Sequence, residues 1–333
     1  MEKLIVSTSP HLGTRNTTGK IMADVLIALS PCAVAALVYY GWHALLIMAV
    51  SVATAVLSEF LFNIITRRTQ TVGDLSAVVT GLILAMCLPV PDQTKFTIWE
   101  TVWPCIVGAV FAIIVTKCLF GGIGCNFANP AATGRVVLFV AFPAIIGSAS
   151  STLLTSMADV PNYADIVAGA TPMAVIKGEV RLLPSLFDMF VGNRSGAIGE
   201  SCIFAIILGF IYLVARRVIS WTVPTVFVGT VALFSLIYYG ATGQDLSLVL
   251  YQLMGGGLMF GAVYMATDYV TSPINKWGKL VFAFGCGIIT CLIRFFGSYP
   301  EGVSFAILFM NILSPYIENW CAPRPFGGVK NEK

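Results

Sequence analysis

The sequence predicts an all-α, polytopic membrane protein, and three observations carry that expectation. The 333 residues are 57% hydrophobic and only 11% charged, whereas soluble domains carry about 25% charged residues. The mean hydropathy is +0.88. The apolar residues gather in runs near 20 residues long, the length a helix needs to cross a hydrocarbon core of about 30 Å.

Ten such runs occur, at about 21–40, 44–65, 74–91, 99–119, 136–157, 199–215, 219–240, 247–267, 279–298 and 301–319. Each must be helical, because lipid offers nothing to an exposed backbone N–H or C=O. The first twenty residues hold no long apolar region and no small-residue cleavage site, and read as a polar cytoplasmic leader rather than a signal peptide. With the N-terminus placed inside, alternation puts fourteen Lys and Arg on cytoplasmic segments, among them Arg67, Arg68, Lys117, Arg135, Arg216, Arg217, Lys276 and Lys279. Five fall outside: Lys95, Lys177, Arg181, Arg194 and Arg294. The positive-inside rule therefore favours both termini in the cytoplasm of a plasma (inner) membrane protein.

This topology divides the chain into a leader (1–20), a first set of five spans (21–157), an outer loop (158–198), a second set (199–319) and a cytoplasmic tail (320–333). The halves share interruptions. "GLILAMCLPV" and "GGGLMFGAVYMATDYVTSP" are glycine-bearing spans that end at proline. "GGIGCNFANPAATGR" and "EGVSFAILFMNILSP" place Asn126, Asn129 and Asn311 at expected irregular helix starts. Matched breaks in two odd-numbered halves indicate an inverted repeat with its site at the repeat interface.

Several residues could carry chemistry. Asn126 and Asn129 could hydrogen-bond a bound group, or Asn129-Pro130 could simply cap and open a helix. Glu59, Asp24 and Asp268 are acids inside or at the ends of apolar runs, where ionisable groups are costly and point to ion handling; capping or snorkelling is the plainer alternative. Nine cysteines show no C-x-x-C pair, most lie inside apolar runs, and Cys118 and Cys125, which flank the glycine-rich turn, are the pair that draws attention. Two histidines are too few for a histidine-ligated metal or haem. No strand–G-x-G-x-x-G–helix pattern for a dinucleotide is present, and nothing suggests nucleic acid as a partner.

The stretch "DIVAGATPMAV" (165–175) interrupts this apolar chain with the exposed hydroxyl of Thr171 in a tight Gly-Ala-Thr-Pro turn. On chemistry alone it is a connector or an attachment site. With "STSPHLGTRNTTGKIMADVLIALSPC", "GLILAMCLPVP", "GGIGCNFANPAATGRVVL", "ARRVISWTVP", "MATDYVTSPI" and "YPEGVSFAILFMNILSPYIE" in that order, the chain resembles, nearly end to end, the family of Rnf-complex D subunits and the related B subunits of Na⁺-translocating NADH:quinone reductases. Only about twenty residues precede the first span, which favours the Rnf type.

That resemblance implies a subunit of an ion-motive complex coupling ferredoxin:NAD⁺ electron transfer to Na⁺ or H⁺ transport, not catalytic alone. It implies FMN esterified through its phosphate to Thr171 by a flavin transferase reading Asp165, Gly169, Ala170 and Thr171. Ala168 stands where the family has Ser or Thr. The implied partners are other Rnf-type membrane subunits, an extracytoplasmic flavin-bearing subunit and membrane lipid. A non-covalent riboflavin would find contacts at Asn126, Asn129, Asp268 and Asn311. A flavin-free channel or transporter, and a passive scaffold, are the alternatives; neither needs the 165–171 motif.

Overall fold

The computed structural model describes residues 17–91, 95–147, 172–173, 176, 183–297, 299 and 301–322. The described chain is helical throughout, with one isolated bridge, Pro89 to Ala197, and no strand. Five helices are long and apolar enough to cross a membrane, and a bent pair makes a sixth. Large apolar side chains such as Trp99, Ile211, Leu233 and Ile237 are exposed while Glu59, Lys117, Arg194 and Arg294 are buried. Apolar outside and polar inside is the packing of a protein whose solvent is lipid. It is a multi-pass membrane protein.

Helix α1 (Thr18–Tyr40) starts at the Thr17 hydroxyl, which accepts from the Lys20 N–H, and ends at Gly41, whose φ of 59° turns the chain directly into α2 (Trp42–Ile65). Helix α3 (Ser76–Met86) is short: eleven residues reach about 16 Å, roughly half the hydrocarbon core. The expected 74–91 span is therefore a half-span. It lies against α2 at Gly81, where a Cβ would sit 2.9 Å from the Val52 Cα. Helix α4 (Ile98–Val110) opens with Glu100 accepting from the Thr97 N–H at 2.7 Å and continues as a π-helix over Phe111–Cys118.

The glycine-rich turn leads to α5 (Pro130–Ala141), six residues earlier than the expected start at 136, because Asn129 caps it. A short helix, α6 (Leu186–Val191), precedes α7 (Ile203–Ala215), then α8 (Thr222–Thr242). The expected 247–267 span is broken: α9 (Leu248–Met254) and α10 (Leu258–Met265) meet at 49°. The break is built from Gly256 and Gly257, with φ of 63° and 66°, values that only glycine adopts without strain. Helices α11 (Lys276–Phe296) and α12 (Val303–Trp320) complete the bundle.

Two pairings position the interior. Helices α8 and α11 run parallel: a Cβ on Gly287 would lie 2.6 Å from Thr230, and further along Tyr238 meets Phe295, ring centroids 4.3 Å apart. Helices α5 and α12 run antiparallel, joined at one end by Asn129 and Asn311 and at the other by the Arg135–Glu301 ion pair. Asn311 does not sit at a helix start as expected; it lies eight residues inside the continuous α12. The helix begins at Val303, with Gly302 as its N-cap, so Asn311 serves as a mid-helix link.

Candidate functional site

At the end of the bundle that carries Arg67, Arg68, Arg216 and Arg217, a cavity of about 120 Å³ opens between α1, α3, α5 and α10. Ser76, Lys117, Asn126, Asn129 and Asp268 all reach its wall. Asp268 follows the end of α10, where its carboxylate accepts from the Thr271 hydroxyl at 3.0 Å and the Val270 N–H at 3.5 Å. Burial raises its carboxyl above the ordinary 3.8, and these hydrogen bonds, with one from Asn126, oppose the rise.

Asn129 is fully engaged. Its oxygen accepts from the N–H groups of Ala131 and Ala132, at 3.0 and 3.2 Å, and its nitrogen donates to the Met265 carbonyl at 2.9 Å. One side chain thus caps α5 and ties it to the end of α10. With the Asn311 amide oriented to satisfy both its atoms, its oxygen accepts from the Asn129 N–H at 3.0 Å. Asn126 donates to the Ala128 carbonyl at 3.1 Å. Residues 126, 129 and 268, distant in sequence, share one wall, and Asn311 stands behind them.

Glu59 belongs to a neighbouring cavity of about 210 Å³ that also meets Arg68, Thr71 and Gly121. Its two oxygens each take a bond of 2.9 Å from the Lys117 ammonium, and Oε1 also accepts from Thr71 at 2.6 Å. Lys117 donates onward to the Ser76 hydroxyl at 2.6 Å. Both charged side chains are almost completely buried. The pair therefore forms the partition between two cavities, with Glu59 on one and Lys117 on the other. Lys117 lies in the π-helix, and π-turns occur frequently at functional sites. Asp24 is elsewhere: it accepts from Tyr212 at 2.9 Å and pairs with the exposed Arg216 at 3.4 Å, and it lines neither cavity.

The opposite end holds a different arrangement. Arg294, buried near the end of α11, donates to the carbonyls of Gln252, Gly255 and Gly256 at 2.6, 3.0 and 3.1 Å. Those are the carbonyls left open where α9 stops, so the cation holds a helix C-terminus together. Its Nε has no partner among the described residues. Beside it a slot of about 200 Å³ is walled by Met173, Tyr238, Tyr239, Gln252, Arg294 and Phe295. Arg194, equally buried, donates to the Glu200 carbonyl at 2.6 Å. Glu200 keeps one buried oxygen near Gly257, also without a partner among the described residues.

Asp165, Ala168, Gly169, Ala170 and Thr171 lie outside the described residues; Met173, two positions later, is buried on the slot. Cys118 is buried and Cys125 exposed, both as free thiols. Sequence reasoning does not single out Lys117, Arg135, Arg194, Glu200, Arg294 or Glu301. A signal exists, since Lys117 and Arg294 interrupt apolar runs, but alternation of spans counts them as loop charges. Burial corrects that: Lys117, Arg135, Arg194 and Arg294 are interior.

Ion pairs and caged arginines inside a bundle that is apolar outside, set on half-helices and a glycine break, define a membrane protein built to hold charge within its interior. Its relatives agree on which kind. The chain belongs to the NQR2, RnfD, RnfE family, which it matches over residues 5–327. It is 40% identical to the D subunit of the Na(+)-translocating ferredoxin:NAD(+) oxidoreductase complex of Acetobacterium woodii, over 99% of this chain and 97% of that one. It is 36% identical to the D subunit of the proton-translocating ferredoxin:NAD(+) oxidoreductase complex of Clostridium ljungdahlii, over 97% and 96%. The D subunit of the ion-translocating oxidoreductase complex of Escherichia coli is 31% identical over 98% and 99%.

Proposed function

We propose that this chain is the membrane-embedded, flavin-carrying D subunit of an Rnf-type complex coupling ferredoxin:NAD⁺ electron transfer to cation translocation, with FMN esterified to Thr171. The observation that carries the reading is the conjunction of the "DIVAGAT" motif with the slot that Met173 lines. From Met173 back to position 171 is two residues, a reach of about 7 Å. The lining of the slot supports this reading: Tyr238, Tyr239 and Phe295 supply aromatic surface, and the buried Arg294, whose Nε has no partner among the described residues, supplies a positive charge beside them. Bound there, FMN would supply one- and two-electron transfer. The chain's part is to tether it, shield one side from water and hold a fixed positive charge near it. Gln252 positions Arg294 and donates to the Tyr239 hydroxyl at 2.9 Å, which locks the wall.

The charge bias supports an outward-facing Thr171. Removing the four interior cations from the count leaves twelve Lys and Arg on the cytoplasmic side against three outside. The cavity of Asp268 is a poor host for a non-covalent riboflavin. Asn129 and Asn311 spend their amides on protein partners, and the cavity is smaller than the slot beside Arg294, about 120 against 200 Å³. It suits water and a cation better, with Asp268 and, across the partition, Glu59 as the acids on the ion's route. The Acetobacterium and Clostridium relatives are named for different ions. The ion is therefore a property to measure: Na⁺ dependence of ferredoxin:NAD⁺ turnover in vesicles holding the whole complex.

The primary test is intact mass and in-gel flavin fluorescence of denatured wild type and Thr171→Ala, each produced with a flavin transferase. An FMN-sized increment present in wild type and lost in the variant is expected. No increment in wild type beside a working transferase control sinks the proposal and favours a channel or scaffold, with Ala168 the place to look. An increment that survives in Thr171→Ala moves the site.

A further inference from the structure

A cavity of about 400 Å³ at the starts of α8 and α11 adjoins the Asp268 cavity, sharing Ile219, Thr267 and Tyr269 with it, and has its own set of charged residues. Two cations line it, Arg217 and Lys279, and among the described residues no carboxylate does. Among the described residues neither side chain has a hydrogen bond or an ion pair. The neighbouring Arg216 differs, being paired with Asp24. Asp268, adjacent in sequence to the lining residues Thr267 and Tyr269, lines the other cavity and accepts from Thr271 and Val270.

Arg217 is exposed at the turn that ends α7. Its φ of 57° is the left-handed conformation in which helices commonly end, and Arg67 adopts it in the same way after α2. The turn is held by Arg217 N–H to Val214 O (3.0 Å), Val218 N–H to Leu213 O (2.9 Å) and the Tyr269 hydroxyl donating to Val218 O. The helices that start at the cavity add to its positive charge. Both α8 and α11 present N-termini without a side-chain cap and without an acid in the first turn, so the positive ends of two parallel helices add to the two cations.

The ligand is therefore an anion, and its surroundings say of which kind. Trp221 and Trp277, at the starts of the same two candidate spans, are 63% and 72% exposed. Exposed tryptophans at span ends mark the membrane–water interface. The remaining wall includes Val214, Val218 and Val223, apolar surface that a free inorganic ion has no use for. Basic pockets between spans at this level suit lipid head groups. We propose that the cavity binds the phosphate of an anionic phospholipid, of the phosphatidylglycerol or cardiolipin class, through Arg217 and Lys279, with the hydroxyl of Ser220 in reach of the head group.

The test is native mass spectrometry of the full-length chain in detergent, titrated separately with cardiolipin, phosphatidylglycerol, phosphatidylcholine and inorganic phosphate. At about 1 kcal/mol per basic residue near the surface, Arg217→Gln and Lys279→Gln should each weaken anionic-lipid binding about fivefold, and the double variant about 30-fold. Lys276→Gln, exposed but outside the cavity, should change it little. An unchanged melting temperature shows that the double variant is folded. The proposal is overturned if the folded double variant retains the lipid as wild type does, if Lys276→Gln loses as much, or if phosphatidylcholine binds equally well. Variant-sensitive binding of inorganic phosphate, with no preference for anionic lipid, would also overturn it by making the site one for a soluble anion.

Discussion

Two regions of the interior hold ionised groups away from water by opposite means. Glu59 and Lys117 neutralise each other and hand their remaining bonding capacity to Thr71 and Ser76. Arg294 has no carboxylate bonded to it among the described residues; it is held by three carbonyls that the end of α9 leaves open. The first is a closed network: breaking it at one partner is costly to stability, and removing both partners changes stability little. The second leaves a buried polar atom, the Nε of Arg294, without a partner among the described residues, on a side chain that lines a slot. The difference teaches where to look for a bound group: beside the charge whose partners do not exhaust it.

The largest effect expected from breaking this comparison is at the closed pair. Lys117→Met strands the buried Glu59 carboxylate and should lower stability by about 3–5 kcal/mol. Adding Glu59→Gln should recover most of that loss, as read by thermal unfolding in detergent. A double variant as unstable as the single would mean that the pair is not a self-contained unit. Arg294→Met comes next, since it removes bonds from a charged donor to three carbonyls, each worth about 1.5–3 kcal/mol and partly compensated by water. Arg294→Lys keeps the charge but not the fork, so only partial rescue is expected; full rescue would show that charge alone holds the break.

Gly256→Ala should cost about 1–3 kcal/mol. It combines a left-handed backbone with a Cβ 2.6 Å from an Arg294 Nη, an atom fixed by its carbonyls. Limited proteolysis and melting temperature would both report it. The smallest effect is at Asp268. Burial raises its carboxyl above 3.8, so the folded chain holds that proton more tightly than the unfolded one. Wild-type stability should then fall relative to Asp268→Asn as pH rises from about 4, levelling once the folded carboxyl has ionised. Melting temperatures of both proteins from pH 4 to 7 check the sign; a gap moving the other way would mean that the hydrogen bonds from Thr271 and Val270 outweigh desolvation.

The long helices are legible because their signal is length and hydropathy alone: α1, α2, α4 with its π extension, α8, α11 and α12 overlap their expected spans. The short ones are not. A period of apolar residues cannot distinguish a full span from an eleven-residue half-helix such as α3, and the break at Gly256–Gly257 looks like any glycine-rich stretch until a backbone conformation is assigned. Asn129 as the cap of α5 is readable from Asn-Pro; its second bond, to Met265, joins residues 136 positions apart and is not. The pairing of Glu59 with Lys117, 58 positions away, has the same invisibility.

What the sequence by itself determined is the solvent this protein lives in, its helical character and the residues from 165 to 171 on which the flavin reading depends. Each is a local property: hydropathy over about 20 residues, or a short motif in order. The tertiary structure alone decided which charges are interior, that Lys117 answers Glu59, and that Arg294 faces an aromatic slot while Arg217 and Lys279 face another cavity. Those follow from side chains far apart in the chain meeting where water is scarce, because a buried charge must find a counter-charge or an open backbone carbonyl, and which one it finds is settled only by packing.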